Sequence, residues 1–397
     1  MRLIKKIRKI PHKLNYELNK KLHFLFEITI GKHYLKKPLQ DVIILESHTD
    51  FDTNGGALYN FMVDQGYNKK VKIVWLLWNK LDRSLPENVE AYGIEKPSLK
   101  KEIYLYTAKI ISTDHLVYEK KRDDQKTFYL SHGAISLKKP QGYIGIPQNI
   151  TNYLVASEYM RAITSDIYGF HSPNSKELIL GYPVHDCLYK PSTDEIKKIT
   201  SKRYTKVVLW MPTFRQIKGR NDSTEKDVLG IPLLKSDEEY KMLDEFLYKE
   251  NMLLIIKIHP KQLLETLKIT DTNNIRIITS NIQKNKQINT YELLKDSDAL
   301  ISDYSSIAFD YLHLDRPIGF AVSDIGSYKL GFIVNNPVEL MGGPAINDYN
   351  EFTNFLKNVA NGVDEYREKR QLIFDKLFKY KDGNSSARMI KYWDLNK

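Results

Sequence analysis

Ala299-Leu300-Ile301-Ser302-Asp303-Tyr304-Ser305-Ser306-Ile307-Ala308-Phe309-Asp310 is the stretch on which the fold turns. Its first three residues are a short apolar run of the kind found in a strand buried on both faces, and from Ile307 through Phe309, Leu312 and His313 the spacing becomes helical. Strand, polar tip and helix form the repeating unit of a parallel sheet, and the pattern recurs on both sides of this segment. In the C-terminal half strands are expected at 207–210, 253–258, 275–278, 299–301 and 318–320. In the N-terminal half they are expected at 42–45, 71–77, 109–111, 127–130, 153–155 and 178–180. Two α/β domains follow, at 31–190 and 207–375, flanked by segments 1–30 and 376–397. The polar linker 191–206 joins them, and its Ser192-Thr193-Asp194-Glu195 reads as a capping box that starts a short helix.

The chain's 397 residues suit two domains, and 42% hydrophobic with 27% charged residues describes a folded protein rather than a disordered or fibrous one. One cysteine, Cys187, rules out an internal disulfide and an all-cysteine metal site. The formal charge of +11 asks for an anionic partner without naming it. Basic residues outside the N-terminus are dispersed and no nucleic-acid-binding motif stands out, so nucleic acid is not expected as that partner. No apolar run reaches the roughly 18 residues a membrane span needs, and no export signal is visible.

The N-terminal segment places Leu3, Ile7, Ile10, Leu14, Leu18 and Leu22 at helical spacing among lysines and arginines, with Glu17 alone negative up to residue 22. A basic amphipathic helix of this kind can lie on an anionic membrane surface, where each cation contributes about 1 kcal/mol. It can equally dock its apolar stripe on the protein, and Pro11 should kink it in either case. Periodicity and charge do not separate the two.

In open parallel sheets ligands bind beyond the carboxyl ends of the strands. The tips here are Glu46-Ser47-His48, Ser112-Thr113-Asp114-His115, Ser131-His132-Gly133 and Ser157-Glu158, then Pro212-Thr213-Phe214-Arg215, His259-Pro260 and Ser302 to Ser306. His132, before a glycine that permits a sharp turn, is placed to move a proton near neutral pH. His259 is oriented by Pro260, with Lys257 and Lys261 close by. Ser305 and Ser306 at a helix start suit an anion such as phosphate, although simple N-capping accounts for them as well. Arg215 offers a bidentate phosphate donor, and Gly342-Gly343-Pro344 reads as a turn that could bring backbone near a ligand. No P-loop, dinucleotide fingerprint or zinc motif is present, so chemistry without a resident cofactor is expected, a loosely bound magnesium being compatible with it.

Taken together, several motifs give the chain a resemblance to the CDP-glycerol glycerophosphotransferases of teichoic-acid and capsule-polymer synthesis. They are Ser131-His132-Gly133 with Lys138, Ala156-Ser157-Glu158-Tyr159-Met160-Arg161, Gly181-Tyr182-Pro183, Pro212-Thr213-Phe214-Arg215 and His259-Pro260. Ser302 to Ser306 continuing into Phe309-Asp310-Tyr311, then Asp315-Arg316-Pro317 and Gly343-Pro344, complete the set. The resemblance runs from about residue 40 to 345. It implies a GT-B architecture, two Rossmann-like domains facing an interdomain cleft, the first on the acceptor side and the second binding the CDP donor. It also implies a peripheral enzyme on the cytoplasmic face of the membrane, moving glycerol phosphate to a lipid-linked saccharide or polyol-phosphate acceptor. A CDP-ribitol donor and a nucleotide-sugar glycosyltransferase on the same fold stay open as alternatives. By the resemblance His132 and His259 are the catalytic histidines, while Arg215, Ser302, Asp303, Ser305, Ser306 and Gly343 contact the donor. The chain departs from the family at Val184-His185, where Arg-Asn is usual.

Overall fold

Every expected apolar run pairs into one of two parallel sheets of a computed structural model that describes residues 2–139, 150–168, 176–213, 216–217, 220–221 and 228–395. The first sheet holds β1 (Gln40–Glu46), β2 (Lys72–Leu77), β3 (Val89–Gly93), β4 (Ala108–Thr113), β5 (Lys126–Tyr129), β6 (Asn152–Leu154) and β7 (Lys176–Leu178). Their spatial order is β3-β2-β1-β4-β5-β6-β7. The register sets Ile44 beside Val74 on one side and Ile111 on the other, which fills the middle of the sheet with branched apolar side chains. β3 was not expected because it carries no apolar run. Only Val89 is buried, and Glu90 instead accepts hydrogen bonds from Lys72 Nζ at 2.8 Å and Tyr92 Oη at 2.6 Å.

The second sheet comprises β8 (Lys206–Trp210), β11 (Met252–Lys257), β12 (Ile275–Ile278), β13 (Ala299–Ser302), β14 (Ile318–Ala321) and β15 (Ala345–Ile346), and between β8 and β11 the chain forms the separate two-residue antiparallel pair β9 (Gln216–Ile217) and β10 (Arg220–Asn221). Its order, β12-β11-β8-β13-β14-β15, repeats the doubly wound pattern of the first. Trp210, Leu254, Ile256, Leu243, Phe352 and Leu356 form the centre of its core. Ser236 starts the helix Asp237–Lys249 by accepting from Glu239 N, and three acidic residues in the first turn complement the helix dipole.

Contacts divide the chain into two units, and the division is not the one read from the sequence. Of the described residues, the first unit takes 2–132, 150–168, 176–186 and 384–395, and the second takes the rest, including 133–139. The C-terminal helix Ser385–Trp393 belongs to the first unit because Asp186 accepts from Ser385 N at 2.8 Å and Ser386 N at 2.7 Å, while Trp393 packs on Phe128. Gly181, at φ +78°, has room for no side chain, since a Cβ would stand 2.4 Å from Ser385 Oγ. The Gly181-Tyr182-Pro183…Asp186 motif therefore seats a helix. Residues 136–139 join the second unit through Ile333 N to Leu137 O at 2.9 Å and Lys139 N to Gly331 O at 3.1 Å.

Two local expectations are corrected. Residues 192–195 form no capping box: Asp194 takes a left-handed conformation, and only a single 3₁₀ turn, Glu195–Lys198, follows. Thr193 and Glu195 are engaged with Glu292 and Asn289 N instead, so tertiary bonds have displaced the local cap. The N-terminal helix Arg2–Phe26 runs through Pro11 without a break. Proline removes one backbone donor there while the strong helix formers around it continue the turn. The face it docks is polar and aromatic: Asn19 donates to Ile94 O at 3.1 Å, His23 meets Glu102 at 2.7 Å, and Phe26 packs on Tyr106. Leu14 and Leu18 of the apolar stripe, and Leu25 beyond it, are 58%, 44% and 54% exposed, so this apolar surface does not dock on the chain. Among the described residues no helix is long and apolar enough to cross a membrane.

Candidate active site

In each unit the order of strands reverses at one point, between β1 and β4 in the first sheet and between β8 and β13 in the second, and the carboxyl ends there are polar. In the first unit the buried Asp114 organises its tip. It accepts from His48 N at 2.7 Å, Thr53 Oγ1 at 2.5 Å and Gly55 N at 2.9 Å, joining β1's exit to the start of helix Thr53–Asp64. Burial pushes its carboxyl up to about 8. Glu46, also fully buried, accepts from Trp78 Nε1 at 2.9 Å and Leu116 N at 3.0 Å.

These bonds gather three imidazoles. His48 stacks on His132 with ring centroids 4.8 Å apart, and His115 meets His48 edge-on at 4.6 Å. His132 itself is exposed. The sharp turn beside it is not made by Gly133, as the sequence suggested, but by Ser131 at φ +59°. Gly133 is glycine because a Cβ would come within 2.8 Å of Ser306 Oγ. Although three histidines meet, no group of three or more His, Cys, Asp or Glu among the described residues is placed to hold a metal ion.

In the second unit His259 stands just beyond β11, half-buried, its Nδ1 accepting from Lys261 N at 3.1 Å. That acceptor role leaves Nε2 as the protonated nitrogen of the neutral ring, a hydrogen-bond donor. Burial, followed by Lys138, Lys261 and Lys257, pulls the imidazole from its ordinary 6.5 down to about 3. Lys138 comes from the stretch after His132 and reaches Thr213 Oγ1 at 3.5 Å. Thr213 in turn donates to Asp303 through N at 2.9 Å and Oγ1 at 2.5 Å. The result is an electropositive pocket around an uncharged imidazole, suited to a polyanion.

Of the residues expected to contact the donor, Ser305 and Ser306 are partly exposed at the start of the helix Ser306–Asp310, which is one turn long and passes into a 3₁₀ turn rather than the longer helix expected. Ser302 and Asp303 are fully buried and committed inward, Ser302 Oγ donating to Met211 O at 2.9 Å and Asp303 holding Thr213. They shape the tip and present no surface to a ligand. Gly343 is corrected too: it lies at the amino end of the sheet, where a Cβ would come 1.6 Å from Ile318 O, so close backbone packing accounts for the glycine. Arg215 lies outside the described residues. The sequence names His48 and Thr213 as strand-tip residues and Thr213 and Lys138 within the resemblance motifs without giving any of them a role, and it passes over Asn54, which lies on the helix Thr53–Asp64.

The suppressed imidazole has a measurable consequence. In the ligand-free protein the unfolded chain binds a proton at His259 below pH 6.5 and the folded one does not until about pH 3. This site therefore withdraws stability as pH falls across that window. Urea unfolding at pH 7 and pH 4.5 should show His259→Asn losing less stability than the parent, and equal losses would contradict the burial and lysine effects described.

Two doubly wound parallel sheets with polar tips at their switch points, one tip electropositive around a histidine, define an α/β protein of GT-B-like architecture. The chain matches the family described as CDP-Glycerol:Poly(glycerophosphate) glycerophosphotransferase over residues 30–393, and it belongs to that family. It is 27% identical to a teichoic acid glycerol-phosphate primase of Bacillus subtilis (strain 168) over 94% of this chain and 96% of that protein. It is also 27% identical to the teichoic acid ribitol-phosphate polymerase TarK of Staphylococcus aureus (strain NCTC 8325 / PS 47), over 62% of this chain and 45% of that one. A solved structure of the wall teichoic acid polymerase TagF superposes with a TM-score of 0.74 at 21% identity, covering 99% of this chain and 98% of that one, a likeness of fold.

Proposed function

We propose that this enzyme transfers glycerol phosphate from CDP-glycerol to a hydroxyl of a lipid-linked saccharide or polyol-phosphate acceptor in teichoic-acid synthesis, releasing CMP. The observation that carries the reading is family membership across nearly the whole chain, joined to a histidine at a strand tip in each unit. His132 takes the proton of the acceptor hydroxyl as its oxygen bonds to the phosphorus bearing glycerol. The bond from that phosphorus to the bridging oxygen breaks, and CMP leaves with the electron pair. His259 donates a hydrogen bond from Nε2 to phosphate oxygen. The diphosphate's charge offsets Lys138, Lys257 and Lys261, so that donor binding itself restores proton affinity to the ring. Positioning and protein cations supply most of what phosphoryl transfer needs, so no metal is assigned a step.

The reading extends to an anionic membrane surface on the cytoplasmic face. The exposed Leu14, Leu18 and Leu25 fall on one face of the N-terminal helix, whose opposite side is already docked. Both parts are tested together by mass spectrometry of products formed from CDP-glycerol and a panel of lipid-linked acceptors on anionic vesicles, with CDP-ribitol and EDTA as further arms. Addition of glycerol phosphate with CMP release, unaffected by EDTA, is expected. Replacing Leu14, Leu18 and Leu25 together by Asn should abolish vesicle co-sedimentation while sparing turnover of a detergent-soluble acceptor. Turnover of ribitol alone, or unaltered sedimentation, would overturn the corresponding part.

A further inference from the structure

We infer that Asn54 is a positioning residue for His132, holding the strained turn that presents its imidazole. The inference rests on the proposed role of His132. Asn54 is the second residue of helix Thr53–Asp64 and is fully buried. Its carboxamide is used at both ends: Nδ2 donates to Ser131 O at 2.7 Å, and Oδ1 accepts from Val184 N at 3.0 Å. Ser131 sits at φ +59°, a left-handed conformation that is sterically unfavourable for a non-glycine residue. Such a turn persists only where its surroundings over-determine it. The bond from Asn54 grips the peptide joining Ser131 to His132, so it acts on the backbone that aims the ring.

Asn54 is itself fixed on both sides. Asp52 accepts from Thr53 N at 2.8 Å, and Asp114 accepts from Gly55 N, so the residues before and after Asn54 are tied to carboxylates. A side chain at Gly55 would stand 2.9 Å from Glu46 O, which means the helix start is pressed against the end of β1. The same Asp114 holds His48 N, and the His48 ring stacks on His132. Asn54 and Asp114 thus fix the two stacked imidazoles through separate bonds, one through the Ser131 carbonyl and one through the His48 amide. With the Asn54 bond removed, Ser131 can relax toward negative φ and carry His132 out of the stack.

Asn54→Asp is the informative variant, because it keeps an acceptor for Val184 N and loses the donor to Ser131 O. Misplacement of a reacting group by about 1 Å costs up to roughly 100-fold in rate, so kcat should fall about 10- to 100-fold with KM for CDP-glycerol unchanged. Adding Asn54→Asp to His132→Ala should then cost nothing more, since the group being positioned is gone. Ser131→Gly, which takes positive φ without strain, should restore part of the lost rate. If His132→Ala slows the reaction but Asn54→Asp retains wild-type kcat, or slows the reaction equally without His132, the positioning role is overturned. If His132→Ala alone leaves the rate unchanged, the proposed role of His132 fails first and this inference with it.

Discussion

His132→Ala is expected to lower kcat about 10²- to 10⁴-fold, the range over which a positioned proton acceptor contributes, and to leave folding intact. Stability should survive because the ring is exposed and its described contacts are the faces and edges of His48 and His115, so its loss opens no buried cavity. The rate should not survive. Attack by an alcohol on a phosphodiester-like centre needs its proton removed as the bond forms, and the neighbouring imidazoles are held in place by separate bonds, His48 through its own amide to Asp114. His132→Gln is the stricter comparison, since it preserves polarity and approximate size without a base of suitable strength. With saturating CDP-glycerol, an unchanged kcat in either variant would remove His132 from the mechanism.

Arg370→Ala should produce a large loss of stability, about 3 kcal/mol, the lower end of what removing one partner of a buried ion pair costs. Its guanidinium is 1% exposed and forked between two carboxylates, with Nη2 2.6 Å from Asp364 Oδ2 and 3.1 Å from Asp315 Oδ1. A further bond reaches Asp315 O at 3.3 Å, which steadies a residue at φ +48° directly before Arg316-Pro317 and β14. Without the cation, Asp315 and Asp364 face each other across a cavity. Both retain some contact with water, which is why the lower end of the range applies. Arg370→Lys should recover only part of the loss, because an ammonium cannot reproduce the fork. Urea unfolding followed on the second unit measures this, and a loss below about 1 kcal/mol would mean that the pair is as weak as an ordinary surface one.

That network also explains a motif whose purpose sequence alone left blank. Asp315-Arg316-Pro317 entered only as one of the motifs that carry the family resemblance; in the structure Asp315 receives Arg370, and Arg316 donates to the carbonyls of Lys295 and Ser297. Gly343 and the Gly181…Asp186 stretch resolve in the same way, into close packing and a helix cap. Recurrent motifs in this chain thus mix structural and chemical residues, and their spacing does not say which is which.

The amino-acid sequence by itself determined where the apolar strands run, though not β3, β15 or the antiparallel pair β9 and β10, that they are parallel, which residues stand at their tips, and the family to which the chain belongs. Burial on both faces writes a run of Val, Ile and Leu into the local sequence, and the turn to a helix writes a change of period, so each is readable within a dozen residues. Tertiary structure decided what those tips do. It buried Ser302 and Asp303, delivered Lys138 to Thr213 and the surroundings of His259, and set Asn54 under Ser131. Partners 75 to 121 residues apart become neighbours only once strand order is fixed, and no local periodicity encodes which distant side chain will arrive.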